Sequence, residues 1–199
     1  MKKSLSTYQV IIIALGIVLN VVGAFIALTL RLPIYLDSIG TIFIACILGP
    51  RYAVLTGVLG SFVSGMTFDM YSLFFMPVQI STGLISGIMF KKGFLKGGKI
   101  FIGVMAFSVP TSILSAIIAA FVFGGVTSSG SSYIVQILSA FGIDKVTGVF
   151  LTRVLTDYTD KIIAVMIVKY AVSLVPQNVV NKLKFKNSYM EINLSLIRI

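Results

Sequence analysis

Val10-Ile11-Ile12-Ile13-Ala14-Leu15-Gly16-Ile17-Val18-Leu19-Asn20-Val21-Val22-Gly23-Ala24-Phe25-Ile26-Ala27-Leu28-Thr29-Leu30 is a run of twenty-one residues whose only polar side chains are Asn20 and Thr29. A helix rises about 1.5 Å per residue, so a run of this length crosses a hydrocarbon core of about 30 Å. We read Tyr8–Leu30 as a transmembrane helix. Lys2 and Lys3 stand just before it, as in a secretory signal. The apolar run is longer than the about 7–15 residues of a signal's hydrophobic region, so an uncleaved first span is expected.

The rest of the chain has the same character. Apolar residues make up 57% of the 199 and charged residues only 11%, against about 25% charged in a soluble domain. Mean hydropathy is +1.05. So few charges cannot clothe a water-facing surface. Five more apolar segments follow: Leu36–Leu48, Tyr52–Phe68, Ser72–Phe90, Ile100–Phe123 and Val146–Val175. Pro33, Gly49-Pro50, Gly97-Gly98 and Gly124-Gly125 punctuate the joins. The expected fold is all-α and integral to the membrane. It is a six-transmembrane-helix bundle over residues 1–177, with a basic cytoplasmic tail over 178–199. A short interfacial helix is expected over Tyr133–Phe141, after a flexible Gly/Ser-rich stretch. No internal repeat is visible.

Charge sets the topology. With the N-terminus inside, the inner segments carry Lys2, Lys3, Arg51, Lys91, Lys92, Lys96, Lys99, Lys182, Lys184, Lys186 and Arg198, and the outer ones only Arg31 and Lys145. Eleven against two is the asymmetry of an N-in, C-in protein. The net charge of +10 therefore reads as membrane anchoring, and no nucleic-acid partner is expected. Nor is a metal site or a cofactor. The chain has no histidine and one cysteine, Cys46, inside an apolar run. That removes the commonest metal ligand, the commonest general base and any thiolate cluster.

One stretch departs from apolarity. Arg153, Asp157, Asp160 and Lys161 fall at i, i+4, i+7 and i+8 in the last segment, within an arc of about 100° on one helix face. Each charge facing lipid at mid-bilayer would cost about 2.5–3.5 kcal/mol, so the face must look into the bundle or a wet cavity. Two readings follow. Either Arg153–Asp157 and Asp157–Lys161 pairs hold the bundle together, or the four form the polar wall of an outward-facing pocket. The outer connections bring further polar and aromatic groups towards the same level: Tyr35, Asp37, Asp69, Tyr71, Phe74, Phe75, Gln79, Tyr133 and Gln136. Of these we take Asp37, Asp69, Tyr71, Gln79, Tyr133 and Gln136 as substrate-binding candidates beside the four helix charges. On the first helix, Gly16, Asn20, Gly23 and Ala27 form a stripe of small residues interrupted by Asn20. Such a stripe permits close helix approach, within the bundle or to another membrane subunit.

Leu36–Gly60 contains an apolar helix ending in Ala45-Cys46-Ile47-Leu48-Gly49-Pro50, followed by small residues at Gly57 and Gly60. It resembles the second and third helices of the substrate-binding S components of energy-coupling-factor (ECF) vitamin transporters. Length, helix number and charge asymmetry fit the same resemblance over about Val10–Val175. The resemblance implies a six-helix subunit of the bacterial cytoplasmic membrane that captures a vitamin-like small molecule in an outward pocket. It also implies a transmembrane coupling subunit and two cytosolic ATPase subunits as partners, with ATP hydrolysis in the partners. Such families dock the coupling subunit on an Ala-x-x-x-Ala pattern of the first helix. Here the matching residues read Gly23-x-x-x-Ala27, which extends the docking expectation to Gly16, Asn20, Gly23 and Ala27. The absence of histidine separates the chain from nickel and cobalt members, whose sites need nitrogen ligands.

Two other functions are weighed against this. A self-sufficient small transporter or channel needs polar groups continuing inward from the last-helix cluster, and none follow. An intramembrane enzyme lacks a histidine, a phosphate-binding loop and a carboxylate pair free of flanking cations.

Overall fold

The computed structural model describes residues 6–95 and 97–174; Lys2, Lys3, Lys96 and the tail 178–199 lie outside the described residues. Among the described residues the regular structure is entirely helical. The helices are α1 (Thr7–Thr29), α2 (Ile39–Ile47), α3 (Pro50–Thr67), α4 (Tyr71–Phe74), α5 (Met76–Lys91), α6 (Ile100–Ile117), α7 (Ser131–Ala140) and α8 (Lys145–Ser173). A π turn, Ile118–Val122, prolongs α6. Two helical stretches, Thr7–Thr29 and Gly97–Val122, are long and apolar enough to cross a membrane.

The expected segments return with altered ends. The segment read as Ser72–Phe90 is divided into a single turn, α4, and α5, which starts with Pro77 in its first turn. Proline is at home there because its missing N–H would have no helical partner. The short helix expected over Tyr133–Phe141 is α7, Ser131–Ala140.

Burial follows composition. α2 carries no charge and is apolar all round, and every residue from Gly40 to Ile47 is buried. A helix of that kind belongs in a core, and α2 packs against α1, α3, α5 and α8. Ile42 and Ile44 meet Val165 and Val168 of α8 and Phe107 of α6 in the main apolar cluster. A second cluster, built on Phe75, Val78, Ala116, Ala119, Val135 and Val149, lies towards the other end of α8. Around this core the outer faces are apolar too: Ile11, Leu15, Val18, Val22 and Phe25 of α1 are exposed, as are Phe101, Ile102 and Met105 of α6.

The stripe on α1 is turned inward, which corrects the expectation that it is a docking surface. Gly16, Asn20, Gly23 and Ala27 are all buried. A Cβ at Gly16 would press on Ile44 and Thr56, and one at Gly23 would run into the Leu36 carbonyl. Asn20 supplies what the start of α2 lacks. Ser38 makes no side-chain cap there, and Asn20 Oδ1 accepts the Gly40 and Thr41 amides at 2.7 and 3.1 Å instead. The first amides of a helix have no partner within it, and here they find one in the middle of α1. The small residues thus let α1 approach its own chain.

Candidate ligand site

The connections α1–α2, α3–α5 and α6–α7 meet the first half of α8 at one end of the bundle. Their positions are fixed by α8. Leu36 has φ +53°, a conformation costly for a branched-chain residue, and its amide donates to Asp160 Oδ1 at 2.8 Å. The other Asp160 oxygen accepts from Ser38 Oγ at 3.3 Å and from Lys161 Nζ at 2.9 Å. Lys161 Nζ also donates to Ser38 Oγ at 2.8 Å. Asp160 is 1% exposed and Lys161 4%. This closed cluster ties the 30–38 connection to α8 and leaves no charge of the Asp160–Lys161 pair uncompensated.

Seven residues before Asp160, Arg153 does the same for two connections at once. Its guanidinium donates to the Tyr35 hydroxyl and, at 3.1 Å, to Thr127 Oγ1. It also lies 5.0 and 5.3 Å from the ring centroids of Tyr35 and Phe75. Only a planar, multi-donor cation can bond two hydroxyls while resting on aromatic faces.

A cleft opens between these anchors. Tyr35, Asp37, Asp69, Tyr71, Ser72, Phe75, Val78, Gln79, Ser115, Asp157 and Lys161 line it, and it encloses about 450 Å³ of space between atoms, its mouth included. Gln79 is set by a polar relay through the bundle. Asn20 Nδ2 donates to Thr41 Oγ1 at 2.8 Å, Thr41 Oγ1 to Gln79 Oε1 at 3.0 Å, and Gln79 Nε2 to the Asp37 carbonyl at 3.2 Å. Asp69 accepts Ser72 Oγ at 2.9 Å. Asp37 sits near the charges of α8. Burial pushes its carboxyl up to about 6, with Lys161 pulling the other way.

Six of the ten sequence-predicted residues line this cleft: Asp37, Asp69, Tyr71, Gln79, Asp157 and Lys161. The other four do not. Arg153 stands behind Tyr35, and Asp160 is engaged with the connection. Tyr133 and Gln136 line a separate, wider depression of about 810 Å³, its mouth included, with Arg31 and Ser128, where Arg31 donates to the Tyr133 hydroxyl at 2.8 Å. The ion pairs expected along α8 are also different. Lys161 pairs with its neighbour Asp160, and Asp157 Oδ2 is buried with no hydrogen-bond partner. Five lining residues, Tyr35, Ser72, Phe75, Val78 and Ser115, are not among the predicted site residues. Phe75 stood among the aromatic groups of the outer connections, but a serine within an apolar run carries no mark that separates a cleft wall from ordinary packing.

No family model matches the chain, and neither a curated protein nor a solved structure matches it.

Proposed function

We propose that this chain is the substrate-binding membrane subunit of an ECF-type importer, taking a vitamin-like micronutrient from outside into the cleft between Tyr35, Asp37, Asp69, Tyr71, Gln79, Asp157 and Lys161. On this reading six helices, α1, α2, α3, α5, α6 and α8, span the bacterial cytoplasmic membrane, N-in and C-in. α2 is too short at about 14 Å to cross the core alone and is shielded by its neighbours. Exposed Arg51, Lys91, Lys92 and Lys99 stand at the end away from the cleft, as inward-facing anchors should. The outward apolar faces of α1 and α6 meet lipid.

The observation that carries the reading is the cleft itself. Ligand sites combine apolar walls with a few placed polar groups, and here aromatic side chains share one cavity with three carboxylates, Asp37 and Asp69 from the connections and Asp157 from α8. No phosphate-binding loop accompanies it, so on this reading ATP is hydrolysed in the partner subunits. The test is purification of the full chain from its native membrane in mild detergent. A transmembrane coupling subunit and two ATPases should accompany it, and uptake should stop when the ATPases are inactivated. A chain that isolates alone and transports by itself in liposomes would overturn the reading.

A further inference from the structure

From the balance of charge around the cleft we infer that its ligand is an organic cation, a compact ring or amine carrying a positive charge, seated between the Asp157, Asp69 and Asp37 carboxylates and the Tyr71 and Phe75 rings. This rests on the cleft being the ligand site, as proposed above.

The two cations near the cleft are already engaged. Lys161 Nζ is held by Asp160 and Ser38, and Arg153 by Tyr35 and Thr127. Neither is placed to lose its partner to an incoming anion without leaving Asp160 or the connections unbound. The acidic side is open. Asp157 is 5% exposed, lines the cleft, and its Oδ2 has no partner. A buried carboxylate oxygen without a partner is costly, and a ligand that brings a charged N–H or a quaternary nitrogen relieves that cost. By formal count four carboxylates, Asp37, Asp69, Asp157 and Asp160, stand in or beside the cleft with two cations, Lys161 and Arg153, so the formal balance there is negative. The walls agree with the charge. Tyr71 lies tilted against Phe123, with centroids 4.7 Å apart, and Phe75 stacks on the same ring at 6.2 Å; Tyr71 and Phe75 both line the cleft, and aromatic rings attract cations. An anionic vitamin would meet three carboxylates with no free donor cation.

The test uses one ring in three charge states: 1-methylnicotinamide, nicotinamide and nicotinate, positive, neutral and negative. Each is titrated calorimetrically into the full chain in nanodiscs. The cation should bind at least about tenfold more tightly than the neutral amide, and nicotinate should not bind. Asp157→Asn should cut affinity for the cation about tenfold and leave that for nicotinamide within about twofold. Asp69→Asn, at the half-exposed mouth, repeats the measurement in a variant whose folding is not at stake. Nicotinate binding as tightly as the cation, a cation affinity unchanged in both variants, or no cation binding at millimolar concentration would each overturn the inference. These outcomes are separate from those of the importer reading. A chain that takes the cation but travels without ATPases keeps this inference and loses that one, and one that travels with ATPases but prefers nicotinate does the reverse.

Discussion

The Leu36 amide donates to Asp160 Oδ1 across 124 residues of chain, at 2.8 Å. That single bond holds a leucine at positive φ and sets the connection carrying Tyr35 and Asp37 over the cleft. Asp160 is therefore a positioning residue, whose removal strips partners from Leu36, Ser38 and Lys161 together. Breaking a buried ion pair by deleting one member costs about 3–5 kcal/mol. Asp160→Ala is expected to lose that order of stability in thermal melts of the ligand-free protein. Asp160→Asn, which can still accept the Leu36 amide but leaves Lys161 unpaired, should fall between. Wild-type melting of Asp160→Ala would show that the connection is held by other contacts.

Gly23→Leu gives a second test. If the α1 stripe served only a partner subunit, the variant would fold and bind ligand normally and fail only in uptake. The Leu36 carbonyl stands where a side chain at 23 would go, and that carbonyl belongs to the connection just described. Gly23→Leu should thus lower the yield of folded protein and abolish ligand binding, whereas Leu15→Ala, on the exposed face of α1, should leave folding unchanged. Size-exclusion profiles and melting curves of both variants decide it. A monodisperse Gly23→Leu that binds ligand would return the stripe to a docking role.

The contrast between Gly16, Gly23 and their outward neighbours shows what the sequence can and cannot say. The run Val10–Leu30 reads as one long apolar helix from composition alone, and α1 occupies Thr7–Thr29. Which of its faces meets its own chain is not written there, because both faces are apolar and the inward one is marked only by small side chains, a feature equally suited to a partner. The α8 charges were legible as an inward face for an energetic reason: four charges cannot face lipid. Their pairing was not. Periodicity allows Asp157 to reach Arg153 or Lys161, but the 30–38 connection supplies Ser38 and the Leu36 amide, which draw Lys161 towards Asp160 and leave Asp157 to the cleft. Residues brought in by connections were the hardest to place, as Tyr133 shows by bonding Arg31 away from the cleft.

Asp37 predicts a pH dependence of definite sign. Its carboxyl is raised to about 6, by burial first and then by Asp160 and Asp157, while Lys161 and the Gln79 hydrogen bond oppose the shift; Asp69 shares the cleft. A folded-state value above the ordinary 3.8 means that protonation favours the fold, so this stabilising contribution is complete below about pH 3.8 and is lost as pH rises through about 6. Asp37→Asn, which mimics the protonated group, should melt above wild type at about pH 7.5, and the gap should close towards about pH 5. Affinity for 1-methylnicotinamide should move the other way in wild type, falling as Asp37 loses its charge, and stay flatter in Asp37→Asn. A melting gap independent of pH would mean that Asp37 does not titrate in this window.

The last prediction concerns which end of the bundle faces the cell interior. The cleft end carries Arg31 and Lys145; the opposite end carries Arg51, Lys91, Lys92 and Lys99. On the proposed reading, this asymmetry puts the cleft outside. Single cysteines read this directly, provided each position is open and the native thiol is silent. Cys46 is 1% exposed and is replaced in the background Cys46→Ala. Gly98 is exposed with nothing within 4 Å of a Cβ, so Gly98→Cys is accommodated at the far end without strain. Phe141 is 81% exposed, in the turn between α7 and α8 at the cleft end. A membrane-impermeant maleimide added to intact cells should label Phe141→Cys and leave Gly98→Cys unmodified until the membrane is permeabilised. Labelling of Gly98→Cys in intact cells with protection of Phe141→Cys would invert the bundle and turn the cleft towards the cytoplasm. Capture of a micronutrient from outside would then be impossible in this conformation.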